Sequence, residues 1–112
     1  MTPTLSDLQQ QRQVIEVDLE RARALARLRQ NPDFKRLFEQ GFLSEDCLSF
    51  FRASFNHGMD AAARENARDF AAAGARLAQF LDNVERRGEN AIDTMRQLQR
   101  MMDSSGQDEG EE

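Results

Sequence analysis

From Ala63 to Met102 the apolar and small residues recur at strictly alternating intervals of four and three: Ala63, Ala67, Phe70, Gly74, Leu77, Leu81, Val84, Gly88, Ala91, Met95, Leu98 and Met102. No charged residue interrupts the series. A mean period of 3.5 residues keeps these side chains on one stripe of an α-helix, whereas a strand would need a period of two. With Ala67, Gly74, Leu81, Gly88, Met95 and Met102 at a positions and Phe70, Leu77, Val84, Ala91 and Leu98 at d positions, the stripe has the form of a coiled-coil seam. Asp60 stands where an N-cap is needed, so the spacing predicts one helix over about 60–102. Gly74 and Gly88 each cost about 1 kcal/mol of helix propensity relative to alanine. Glycines at such positions either admit close approach of another backbone or mark a bend.

A helix over 60–102 would run roughly 60 Å at 1.5 Å per residue, and something must cover its apolar stripe. Upstream, Ser6-Asp7-Leu8-Gln9 reads as a capping box. Leu8, Ile15, Leu19, Ala22 and Ala26 then form a stripe, widened by Val14, Leu25 and Leu28, which predicts a helix over about 6–30 ended by Asn31-Pro32. Asn31 suits the next N-cap, Pro32 the first helical position and Asp33 the positive end of the dipole, giving a short helix over 32–40 with Gly41 as a left-handed stop. Ser44 as cap, with Glu45 and Asp46 in the first turn and Leu43 packing on Leu48 as a staple, predicts a third helix over 44–57 closed by Asn56-His57-Gly58. Phe51 and Phe55, with Cys47 or Leu48, are its expected buried edge. Phe34, Leu37, Phe38, Phe51 and Phe55 are expected to fill the corner between the helices.

The fold class that follows is all-α: an antiparallel helical hairpin or bundle of one long N-terminal helix, two short helices and one long heptad-patterned C-terminal helix, in a single domain over 1–103. The first helix is too short to cover the long one alone. Either the two short helices cover the remainder or another chain does, and Phe80, Ile92 and Met101 beside the stripe favour a partner. A break near Gly88 that folds the end back is the alternative. Residues 70–102 of the stripe (Phe70, Gly74, Leu77, Leu81, Val84, Gly88, Ala91, Met95, Leu98 and Met102) are thus the candidate oligomer or partner seam.

Charge narrows the function. The net charge is −5, but Asp108, Glu109, Glu111 and Glu112 carry four of the 20 acidic charges, leaving 16 acidic against 15 basic residues in the rest of the chain. The ending 104–112 has no apolar residue and reads as a disordered acidic tail. Arg21, Arg23, Arg27, Arg29, Lys35 and Arg36 make a basic stretch opposed only by Asp33. It is either a patch for phosphate or an acidic partner, or a solvated helix face; the nearly neutral body argues against nucleic-acid binding.

No constellation for catalysis is present. Cys47 and His57 are the one cysteine and the one histidine; ten residues apart, they would point to opposite faces of a single helix. They are also too few for a zinc site, and the carboxylates lack the spacing of a calcium loop. No phosphate-cradling glycine loop and no hydrolase motif occurs. We expect no enzyme, no metal and no cofactor. No apolar run reaches the roughly 20 residues of a membrane span, and the start lacks a basic region followed by an apolar one, so a cytosolic protein that does not bind membranes is expected.

The stretch LRQNPDFKRLFEQGFLSED, Leu28 to Asp46, resembles a phrase in small helical proteins that tailed bacteriophages encode among their virion morphogenesis genes. Phe34-Lys35, Leu37-Phe38, Gly41-Phe42 and Glu45 carry the likeness, and Phe80-Leu81, Val84, Gly88 and Ala91 extend it, so that it covers about 28–92. Phe42 stands where a Tyr is usual, and Cys47 where a small or charged residue is usual. The resemblance implies a non-enzymatic structural or assembly protein near the portal, capsid or tail. Its partners would be other virion or assembly proteins and further copies of itself, in the host cytoplasm or in the particle. Lys35, Arg36 and Phe42 are the candidate surface contacts. A small phage regulator that binds and inhibits a host protein is the alternative.

Overall fold

The computed structural model describes residues 4–110. Four α-helices and one π-helix account for the regular structure, and no strand occurs among the described residues: α1 (Leu5–Gln30), α2 (Pro32–Phe34), the π-helix (Lys35–Asp46), α3 (Cys47–Ala53) and α4 (Ala61–Gly110). The protein is an all-α helical hairpin in which the long N-terminal and C-terminal helices touch. The sequence reads as one domain; the packing forms two units, Met1–Leu25 with Val84–Glu112, and Ala26–Asn83.

In the first unit the covered side of α1 is Leu8, Ile15, Leu19, Ala22 and Leu25. Leu8 and Leu25 are buried in it, as are Ala91 and Leu98 of α4. Ala22 lies against Gly88, and Met95, two turns further along α4, lies beside Leu19 and Glu16, earlier in α1. The pairing is therefore antiparallel. Two expected contributors are on the wrong side: Val14 is 70% exposed and Leu28 is also exposed. Seven residues at 100° each bring Ile15 and Ala22 back under Leu8, which leaves Val14 and Leu28 about a quarter turn or more from that line.

The N-terminal cap is not Ser6. Thr4 accepts the Asp7 amide on Oγ1 at 3.1 Å while the Thr4 amide donates to Asp7 Oδ2 at 3.2 Å. This is a reciprocal box with Asp in the place usually taken by Glu or Gln, two residues earlier than Ser6-x-x-Gln9. Asn31 does cap α2, its Oδ1 accepting the amides of Asp33 at 2.9 Å and Phe34 at 3.4 Å, with Pro32 at the first helical position. Asp60 likewise caps α4, accepting the Ala63 amide at 2.7 Å.

In the second unit the chain does not stop at Gly41. Backbone dihedrals stay right-handed at both junctions, so α2, the π-helix and α3 form one uninterrupted rod, and no described glycine has positive φ. Gly41 serves another purpose. In a helix closed five residues back the Arg36 carbonyl comes so near that a Cβ on residue 41 would stand 2.9 Å from its oxygen. Ser44, expected to cap a new helix, instead donates its hydroxyl to the Glu39 carbonyl, five residues earlier, at 2.6 Å. The Cys47 amide bonds back to the Phe42 carbonyl over the same interval, and also to that of Ser44. After Ala53 the turn tightens, and Asn56 Oδ1 accepts the Gly58 amide at 2.9 Å before α4 begins.

α4 runs through Gly74 and Gly88 without interruption. Its backbone is helical as far as Gly110, where composition led us to expect an unstructured tail from 104. A helix already nucleated adds one hydrogen bond per residue fixed, and neither proline nor a left-handed glycine stops this one. Glu111 and Glu112 lie outside the described residues.

Candidate interaction surface

Every seam residue from 63 to 102 except Phe70 is buried or half-buried, and the chain's own helices are the cover. Gly88 takes Ala22 in the first unit. In the second, Gly74 takes Cys47 Sγ, and a Cβ there would also stand 3.6 Å from Phe42 Cε1. Of the two readings of these glycines, close approach is the one observed. Phe70 is part-exposed but stacks on Phe50, ring centroids 4.9 Å apart and planes 19° apart. Within one chain the seam is thus partly covered, fully at Ala67, Gly74, Gly88, Ala91 and Leu98 and by half at Leu77, Leu81, Val84, Met95 and Met102.

The expected corner is not a corner. Phe34 is half-buried and stacks on Phe38 at 5.4 Å, but Phe38 and Leu37 are exposed, Leu37 at 67%. Phe51 and Phe55 are 55% and 65% exposed. The covered edge of α3 is Cys47, Phe50 and Ser54. A serine can sit there because its hydroxyl donates to the Phe51 carbonyl at 2.6 Å, leaving no unpaired donor. The reason for the shift lies upstream, since a π-helix holds more residues per turn and displaces the register of all that follows. Phe42, expected on the surface, is half-buried beside Gly74 for the same reason. Lys35 and Arg36 are exposed as expected.

Among the large apolar residues left exposed, which include Phe80, Ile92 and Met101 beside the seam, three make a stripe. Leu48 and Phe51 on α3 and Phe55 in the turn that follows it stand at i, i+3 and i+7, all exposed, with Phe51 and Phe55 in edge-to-face contact at 5.1 Å. Three large side chains together on a helix surface have a strong hydrophobic tendency to find cover, unlike single exposed leucines. Of the basic stretch, Arg21, Arg23, Arg27, Lys35 and Arg36 are exposed, Arg23 and Arg27 on one face of α1. Arg21 and Arg23 are about 200° apart around α1, and Arg29 turns inward, its Nε 3.8 Å from Glu39 Oε1.

Cys47 and His57 have separate surroundings: the thiol fills the space beside Gly74, and His57 Nδ1 is 3.4 Å from an Arg64 guanidinium nitrogen. Among the described residues no group of His, Cys, Asp and Glu is arranged to hold a metal ion. No helix among them is long and apolar enough to cross a membrane. No family model, no curated protein and no solved structure matches the chain.

Proposed function

We propose that this protein is a non-enzymatic structural or assembly component of a tailed-phage particle, working near capsid, portal or tail through helical protein–protein contacts. The observation that carries the contact role is the exposed Leu48-Phe51-Phe55 stripe on a helix whose neighbouring edge is already packed. The phage assignment rests on the phrase from Leu28 to Asp46 and its extension through Phe80-Leu81, Val84, Gly88 and Ala91. Self-association is assigned to the stripe, and the heptad seam, buried or half-buried within one chain except at Phe70, is the other candidate contact.

The test is mass spectrometry of purified particles and of empty precursors, alongside an infection with the Phe51→Ser/Phe55→Ser variant. The protein is expected in one or both particle forms, and the variant is expected to be lost from them while remaining folded. Absence of the wild-type protein from every particle form, with steady copurification of one host protein, would replace this reading with that of a host-protein inhibitor.

A further inference from the structure

α3 has two apolar edges. Cys47, Phe50 and Ser54 are covered; Leu48, Phe51 and Phe55 are exposed, with the same i, i+3, i+7 spacing. Immediately upstream lies the 12-residue π-helix, joined to α3 without a cap or a change of backbone conformation. Such helices usually last a single turn.

An α-helix turns 100° per residue, and a helix closed five residues back, with about 4.4 residues per turn, turns about 82°. Over the 12 residues of the segment the difference amounts to about 220° of rotation. Reversion of the whole segment to α would therefore carry Phe50 away from the covered side. At 100° per residue, the positions brought there are 48, between 51 and 52, and 55. Leu48 and Phe55 belong to the exposed stripe, and Phe51 shares the middle place with Arg52. In the same all-α register Leu37, Phe38 and Gly41 fall in line with Phe34 upstream.

We propose that the π-helix and α3 form a two-register rotational switch. In the recorded register Phe50 stacks on Phe70, Cys47 fills the notch at Gly74, and the Leu48-Phe51-Phe55 stripe is presented to solvent. In the second, Lys35–Asp46 is α-helical and longer, Leu48, Phe51 and Phe55 turn toward the covered side, and the stripe is withdrawn. Two features fit a pair of states of similar free energy. Both edges carry large apolar side chains able to pack, and the Ser44 hydroxyl bond to Glu39 favours the π form while ordinary helix energetics favour the other. The connection through Asn56 and Gly58 absorbs the change of length. The switch stands whether or not a partner uses the stripe; its effect on assembly rests on the proposed contact.

Thiol labelling of the full chain tests it. Cys47 reports the recorded register, and Phe55→Cys in a Cys47→Ser background reports the other side. Gly41→Ala is the bias, because its Cβ conflicts with the Arg36 carbonyl only when the helix closes five residues back. In the parent chain Cys47 labels slowly and Cys at position 55 quickly. With Gly41→Ala, Cys47 labelling is expected to rise about tenfold or more and labelling at position 55 to fall, with helix content kept. An unchanged order in the folded variant overturns the proposal, and so does fast labelling at both positions, which is local unfolding. Should Gly41→Ala fail to fold, Ser44→Ala gives the same comparison without a steric conflict: a smaller shift in the same direction supports the switch, and no shift overturns it.

Discussion

Gly88 and Ala22 meet with no room for a side chain on the glycine: a Cβ built there would overlap the Ala22 Cβ and stand 3.7 Å from the Ala22 Cα. The long helices of the first unit approach through this notch. Gly88→Ala gains about 1 kcal/mol of helix propensity but overpacks the contact at a cost of about 1–3 kcal/mol. The expected result is a net loss of up to about 2 kcal/mol, a fall in Tm of several degrees. Ala22→Gly in the same chain should recover the packing part of that loss. The pair measured as a thermodynamic cycle gives a coupling term; a coupling near zero would show that the two helices do not meet here.

Leu25 and Leu98 are 6% and 4% exposed, against 70% for Val14. Truncating either leucine to alanine removes buried methyl groups and leaves a cavity, an expected loss of about 2–5 kcal/mol. Val14→Ala should move stability by less than about 0.5 kcal/mol. Urea titration followed by circular dichroism checks the contrast. Equal losses at positions 14 and 25 would place the covered side of α1 elsewhere.

Asn31 holds the start of the short rod by accepting two amides on one oxygen. Asn31→Ala is expected to lower stability by about 1 kcal/mol, and Asn31→Asp, which keeps an acceptor at the positive end of the helix, to restore most of it. Hydrogen exchange localises the effect: the amides of Asp33 and Phe34 should lose protection in the alanine variant and keep it in the aspartate variant.

The seam of α4 was legible from the sequence because a single periodicity governs it from end to end, and burial follows that series residue by residue save at Phe70. Asn31 and Asp60 were legible for a local reason, since a cap needs only its own side chain and the next few amides. The π-helix was not. Read at 3.6 residues per turn, Phe34, Phe38, Phe51 and Phe55 line up, and Gly41 looks like a stop. A five-residue closure shifts the downstream edge to Phe50 and gives Gly41 a steric role within the helix. No local signal separates these readings; the choice depends on what α4 presents at Gly74 and Phe70, which is long-range packing. What covers the seam was hidden for a related reason, because periodicity identifies an apolar face without naming its partner.

Folding and assembly should separate by face. Leu81 belongs to the half-buried seam, so Leu81→Asp brings a charge into apolar surroundings and is expected to unfold the second unit, lowering helix content as well as any oligomer. Phe51→Ser with Phe55→Ser removes exposed rings and leaves the covered edge of α3 in place. It should keep the helical spectrum and reduce particle size in light scattering to that of one chain. Concentration must be taken from refractive index, because the protein has neither Trp nor Tyr. If the serine pair leaves an oligomer intact while the protein stays folded, the stripe is not its contact. If Leu81→Asp dissociates an oligomer without loss of helix, the heptad face has a role between chains after all.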